Sequence, residues 1–147
     1  LRGDWRAWSA RANNTLRWTR DTRVQYDEVR TGVDLTWQPS WVWALNLNAS
    51  HSDTRFLDTG RETSTAEVRL GGSWTTGSGW WGNGHVAYRT LDDTELLPET
   101  LAEGRLQVRR SWPNLDLSIS CGVGERTRGQ ITTDSADISA RVSRQFR

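Results

Sequence analysis

The sequence predicts an all-β fold. One domain, 1–147, is read as eight antiparallel strands running up and down, closed as a transmembrane β-barrel or forming eight strands of a larger one. Three observations predict it. Apolar and polar residues alternate with period two along most of the chain, as on a pleated strand with one face of each kind. The alternation breaks at tight turns centred near 39, 78 and 113. Aromatic residues gather near the ends of the alternating stretches, and aliphatic residues hold their middles.

The elements follow in order. Arg2-Gly3-Asp4 is turn-like, and Trp8, Ala10, Ala12, Asn14, Leu16 and Trp18 make a first strand over 5–19. Val29, Thr31, Val33, Leu35 and Trp37 alternate with Arg30, Gly32, Asp34 and Thr36 over 23–37, before Pro39-Ser40. Proline cannot donate to a ladder, so it marks a turn. Trp41, Trp43, Leu45, Leu47 and Ala49 start the third strand, 41–56. Ala66, Val68, Leu70, Gly72 and Trp74 carry the fourth, 62–76, into Thr76-Gly77-Ser78-Gly79. Trp80, Gly82, Gly84, Val86 and Tyr88 form the fifth, 80–91, which ends at a polar loop containing Asp92 and Asp93. The sixth, 99–112, runs from Ala102 through Leu106, Val108 and Arg110 to Trp112 and the Pro113-Asn114 turn. Leu115, Leu117, Ile119, Cys121 and Val123 give the seventh, 115–126, and a second polar loop spans Arg126 to Gln130. Ala136, Ile138, Ala140, Val142, Arg144 and Phe146 give the last, 131–146. Tyr26 and Phe56 fall out of phase, which predicts bulges or loop positions there.

Composition narrows the function classes. Nineteen basic residues, all arginine, face eighteen acidic ones, so a formal charge of +1 provides no field to recruit nucleic acid. No apolar run approaches ~18 residues, which excludes a transmembrane helix. Cys121 is alone and only His51 and His85 are present, so neither a disulfide nor a conventional metal box is expected. The absence of methionine predicts a processed or excised segment.

The aromatic layout is the most specific feature. Trp8, Trp37, Trp41, Trp43, Trp74, Trp80, Trp112 and Phe146 lie near the short-turn end or the C-terminus, and Trp18 and Tyr88 lie toward the loop end. A bilayer imposes such a layout: indole and phenol rings favour the headgroup level and aliphatics the acyl region. Four to five outward residues per strand match the ~9–11 residues a tilted strand needs to cross. A soluble β-core would gather large rings in its middle.

In this pattern the chain resembles bacterial outer-membrane β-barrels. Its last strand, Ile138-Ser-Ala-Arg-Val-Ser-Arg-Gln-Phe146, is similar to the C-terminal signal such proteins present to the barrel-assembly machinery. Arg147 follows the aromatic on which the family usually ends, and Arg144 takes a usually apolar position. The resemblance implies outer-membrane lipids and the assembly machinery as partners. Further strands of the same precursor, or further copies of the chain, are the other partners considered.

The opposite phase defines the expected lumen: Arg11, Arg17, Arg30, Asp34, Glu67, Arg69, His85, Arg89, Glu103, Arg105, Arg109, Asp116, Asp137 and Arg141. Eight arginines outnumber five carboxylates there. In a closed eight-stranded barrel these side chains would fill the interior and require pairing. In a wider, wet lumen the surplus would favour anions.

Catalytic chemistry is not expected. His85 shares a phase with Ser73, Glu67 and Glu103, but a Ser/His/carboxylate set needs contact among its members. Gly77-Ser-Gly79 and Gly82-Asn-Gly84 are followed by no helix that would supply a phosphate-binding dipole. The expectation is a pore or export-channel element in a bacterial outer membrane, not an enzyme and without a cofactor. The alternatives are a plugged structural or adhesive barrel, and a soluble lipocalin-like barrel that turns its apolar face inward around a hydrophobic ligand.

Overall fold

The computed structural model describes residues 7–20 and 25–144. Arg2-Gly3-Asp4, Trp5 and Phe146 with Arg147 lie outside the described residues. Eight strands of fourteen residues each form one antiparallel sheet: β1 (Ala7–Arg20), β2 (Gln25–Gln38), β3 (Trp43–Phe56), β4 (Glu62–Thr75), β5 (Trp80–Asp93), β6 (Glu99–Trp112), β7 (Leu115–Arg128) and β8 (Ile131–Arg144). Their order in the sheet is their order in the chain. Among the described residues there is no helix, so no helix crosses a membrane.

The sheet is not closed. Each strand contacts only its chain neighbours, and β1 and β8 do not meet. The expected closed barrel is therefore corrected to an open sheet whose first and last strands each pair on one side among the described residues. The physical reason is that hairpin pairing is set locally by turns, whereas closure requires the first and last strands to meet across the whole chain.

Two local expectations also change. Tyr26 and Phe56 sit in uninterrupted ladders, Tyr26 opposite Thr19 and Phe56, with no bulge. Both rings occupy the polar phase, 6.0 Å apart. The loop expected from Arg126 to Gln130 shrinks to Gly129-Gln130, because β7 continues through Arg128. Gly129, at φ 60°, takes the left-handed conformation this short connection needs. Asp92 and Asp93 likewise belong to β5.

Register brings all the apolar phases onto one face. One row runs Ala10, Leu35, Leu47, Leu70, Val86, Gly104, Val123, Ala136. Glycines let large side chains lie flat on this face. The Trp74 indole covers Gly82, where an added Cβ would stand 2.4 Å from it, and the Trp43 ring lies 6.4 Å from Trp74. Trp8 and Trp37 stack at 5.2 Å.

No second layer covers this face. Among the described residues no hydrophobic side chain is buried: Trp8 is 70% exposed, Val86 58% and Ile138 82%. A sheet in water stabilises itself by packing one face against another element, and among the described residues this one has no such partner.

Candidate functional site: the polar face of the sheet

The pleat that collects the apolar residues sends the remaining phase to the other side. Every charged residue assigned to the lumen from sequence falls on this second face. Register sets opposite charges side by side: Arg11 stands opposite Asp34, and Glu67 opposite Arg89. Arg17 stands opposite Glu28, a polar-face carboxylate that the sequence reading did not name.

Contacts are selective. Arg109 Nη2 lies 3.2 Å from Asp116 Oδ1, which also accepts a hydrogen bond from the Ser111 hydroxyl. His85 Nε2 lies 3.5 Å from Glu103 Oε1. Asn48 Nδ2 donates to Asp34, and Gln107 Nε2 donates to Ser118 Oγ at 3.2 Å. The Ser120 and Ser139 hydroxyls are 2.7 Å apart. By contrast, among the described residues Arg11, Arg17, Arg30, Arg69, Arg89, Arg105 and Arg141 make no close ion pair. Arg69, His85, Arg105, Gln107 and Asp137 line one concave patch in the middle of the face.

Small residues give the polar side chains room. The Asn13 amide lies over Gly32, the Asn46 amide over Gly71 and the Asp137 carboxylate over Gly122, each within 2.6 Å of where a Cβ would stand. Any larger residue at these glycines would push a polar group off the sheet.

The catalytic reading gains nothing from this geometry. His85 stands opposite Gly71, and among the described residues no hydrogen bond joins it to Ser73. His51 belongs to the other face, where its Nε2 lies 3.0 Å from Asp53 Oδ2. Among the described residues no three His, Cys, Asp or Glu side chains converge as metal ligands.

The longer connections carry contacts that the alternation pattern gave no sign of. Arg61, just before β4, grips Asp93 through Nε and Nη2, and the Asp93 side chain is 1% exposed. Hydrogen bonding to that carboxylate, with its charge, raises the Arg61 guanidinium above its ordinary pKa. Asp93 also accepts the backbone amides of Glu95 and Leu96 at 2.9 and 3.3 Å. Arg126 Nη2 lies 2.7 Å from Glu99 Oε2. These residues are distant in sequence, and only strand register brings them together. The signal available was weaker: an isolated basic residue beside a loop, opposite a carboxylate cluster.

The expected interface aromatics divide. Trp8, Trp18, Trp37, Trp43, Trp74, Trp80, Tyr88 and Trp112 lie on the apolar face, and Trp41 is exposed in the bend before β3. Arg110 lies 4.9 Å from the Trp80 ring centroid and 4.6 Å from that of Trp112. Trp81 belongs to the polar face, opposite Thr75 and Arg109.

Comparison of the chain with protein-family models, with curated proteins and with solved structures finds no match in any of the three.

Proposed function

We propose that this sheet is part of the wall of a β-barrel in a bacterial outer membrane, acting as a pore or export-channel element. Its apolar face lies against acyl chains. Its polar face lines a wet lumen in which surplus arginines favour anionic solutes. Outer-membrane lipids and the barrel-assembly machinery are its partners, and no cofactor or catalytic group takes part.

One observation carries the reading. Along the apolar phase the chemistry changes from apolar to polar on seven successive strands, six to ten residues from the short-turn end of each. Val29 gives way to Asp27, Ala49 to His51, Ala66 to Ser64 and Tyr88 to Thr90. Ala102 gives way to Thr100, Val123 to Glu125 and Ala136 to Asp134. On β5 the apolar band from Trp80 to Tyr88 covers about 27 Å of strand, near the ~25 Å band of membrane barrels once tilt is included. A packed soluble core has no reason to end its apolar surface along one line.

The test is insertion into phosphatidylcholine vesicles followed by planar-bilayer conductance. Anion-selective channels are expected. A chain that extracts into buffer without detergent would overturn the membrane assignment. Insertion without conductance at high protein load would replace the pore by a plugged barrel, a reading favoured by the Arg61–Asp93 contact that orders the long-loop end.

A further inference from the structure

The free edges of β1 and β8 carry a register that the rest of the sheet constrains. The row of paired residues starting at Ser9 passes Thr36, Asn46, Gly71, His85, Arg105 and Gly122 and reaches Asp137. Ser9 stands two residues from the short-turn end of β1 at Ala7, and Asp137 stands seven from that end of β8 at Arg144. The row therefore climbs five residues across the sheet. Strands tilted by 35–45° need a climb of about 8–11 residues per eight strands. Apolar phase must also meet apolar phase, so the climb is even, about 8 or 10. The seam has to supply the missing three or five.

The smaller step is chemically complementary. It places Asp137 opposite Arg17 on the polar face and Asp134 opposite Arg20 on the other. Ile138 then meets Leu16, Ala136 meets Trp18, and the ladder runs over eleven pairs, from Ala10–Arg144 to Arg20–Asp134. The larger step leaves Arg17 opposite Ser139 and pairs no carboxylate with an arginine. Among the described residues Asp134 and Asp137 make no hydrogen bond or ion pair, and the Arg17 guanidinium lies 6.0 Å from the Tyr26 ring centroid without an ion pair. Arg20 holds Asp27 at 2.6 Å through Nη2 and donates from Nη1 to the Thr19 and Tyr26 carbonyls, so its pairing with Asp134 would be a supplementary one on a half-exposed guanidinium.

Resting on the membrane reading above, we infer that the β8 edge of one copy pairs with the β1 edge of a second copy in this register. Two copies then close a sixteen-stranded barrel. The polar face selects the second copy over self-closure. Among the described residues seven of its arginines form no close ion pair, and the interior of an eight-stranded barrel is filled by side chains, where unpaired charges are costly. Sixteen strands leave an aqueous channel that hydrates them.

The test is cross-linking of the 147-residue chain in phosphatidylcholine vesicles, with Cys121→Ser as background. Thr15→Cys/Ser139→Cys, an opposed pair in this register, is expected to oxidise to a product of twice the chain mass. Thr15→Cys/Arg141→Cys is the control for the longer step. A cross-link within one chain, stronger cross-linking in the control, or insertion without any cross-link would overturn the inference. The last outcome leaves the membrane reading standing. A dimer that forms in this register in buffer alone keeps the seam and removes the membrane. Because cysteine variants can misfold, a charge exchange gives a second measurement. Arg17→Asp and Asp137→Arg should each lower the dimer fraction about fivefold, and the double exchange should restore it. Failure of the double exchange to restore dimers would count against the pairing.

Discussion

Two stretches of a single face behave differently although their backbone is the same. From the short turns up to Ala49, Ala66, Tyr88 and Val123, the apolar phase is aliphatic and aromatic, interspersed with glycines and Cys121. Two residues further along each strand, the same phase carries His51, Ser64, Thr90 and Glu125. The pleat is unchanged, the ladders are continuous, and no described residue outside the sheet covers either stretch. Secondary structure therefore does not set the difference. The side chains do: apolar groups below the line and polar or charged groups above it.

The sharpest way to break this comparison is a charge in the lower stretch. Leu47, paired with Leu35 and Leu70, lies within the apolar band. Leu47→Arg is expected to cost ~2–4 kcal/mol in a urea titration from lipid vesicles, the range for a lipid-facing arginine near the midplane. Asn46→Arg, one residue away on the opposite face, should cost well under half of that. Equal costs would show that the two faces are not distinguished by solvent.

A smaller effect is expected where packing within the band is disturbed without adding charge. Gly82→Val would drive the Trp74 indole off its seat, for about 1–3 kcal/mol in the same titration. Trp74 fluorescence should shift with it. Smaller still is Thr90→Arg, just above the line, expected at ~0–1 kcal/mol because the guanidinium reaches water. A cost as large as that of Leu47→Arg would move the boundary upward.

The smallest effect is local. Arg61→Ala leaves the Asp93 carboxylate without its guanidinium partner at the long-loop end. Hydrogen exchange should quicken at the Glu62 and Thr94 amides, which are tied across the two loops, while amides in the apolar band are unchanged.

The periodicity of two is a local property, so the strands and the face assigned to each residue were legible residue by residue. The 99–112 strand has those bounds in the structure, and no other end differs by more than two residues. Asp93 and Arg128 fell on the wrong side of their boundaries because polar residues extend the ladder as readily as they form loops. Tyr26 and Phe56 show the limit of phase reading: an aromatic on the polar phase predicts a bulge or a loop position, and the structure has a ring pair on an unbroken ladder.

Alternation in the sequence by itself determined eight strands, two unlike faces and the polar set led by Arg11, Arg69 and Arg105. Tertiary structure alone decided that the edges stay apart, that the paired rows climb across the sheet, and that Arg61 finds Asp93 and Arg126 finds Glu99. The reason is range. A pleat is written by each residue and its neighbours, whereas register and closure depend on strands far apart in the chain.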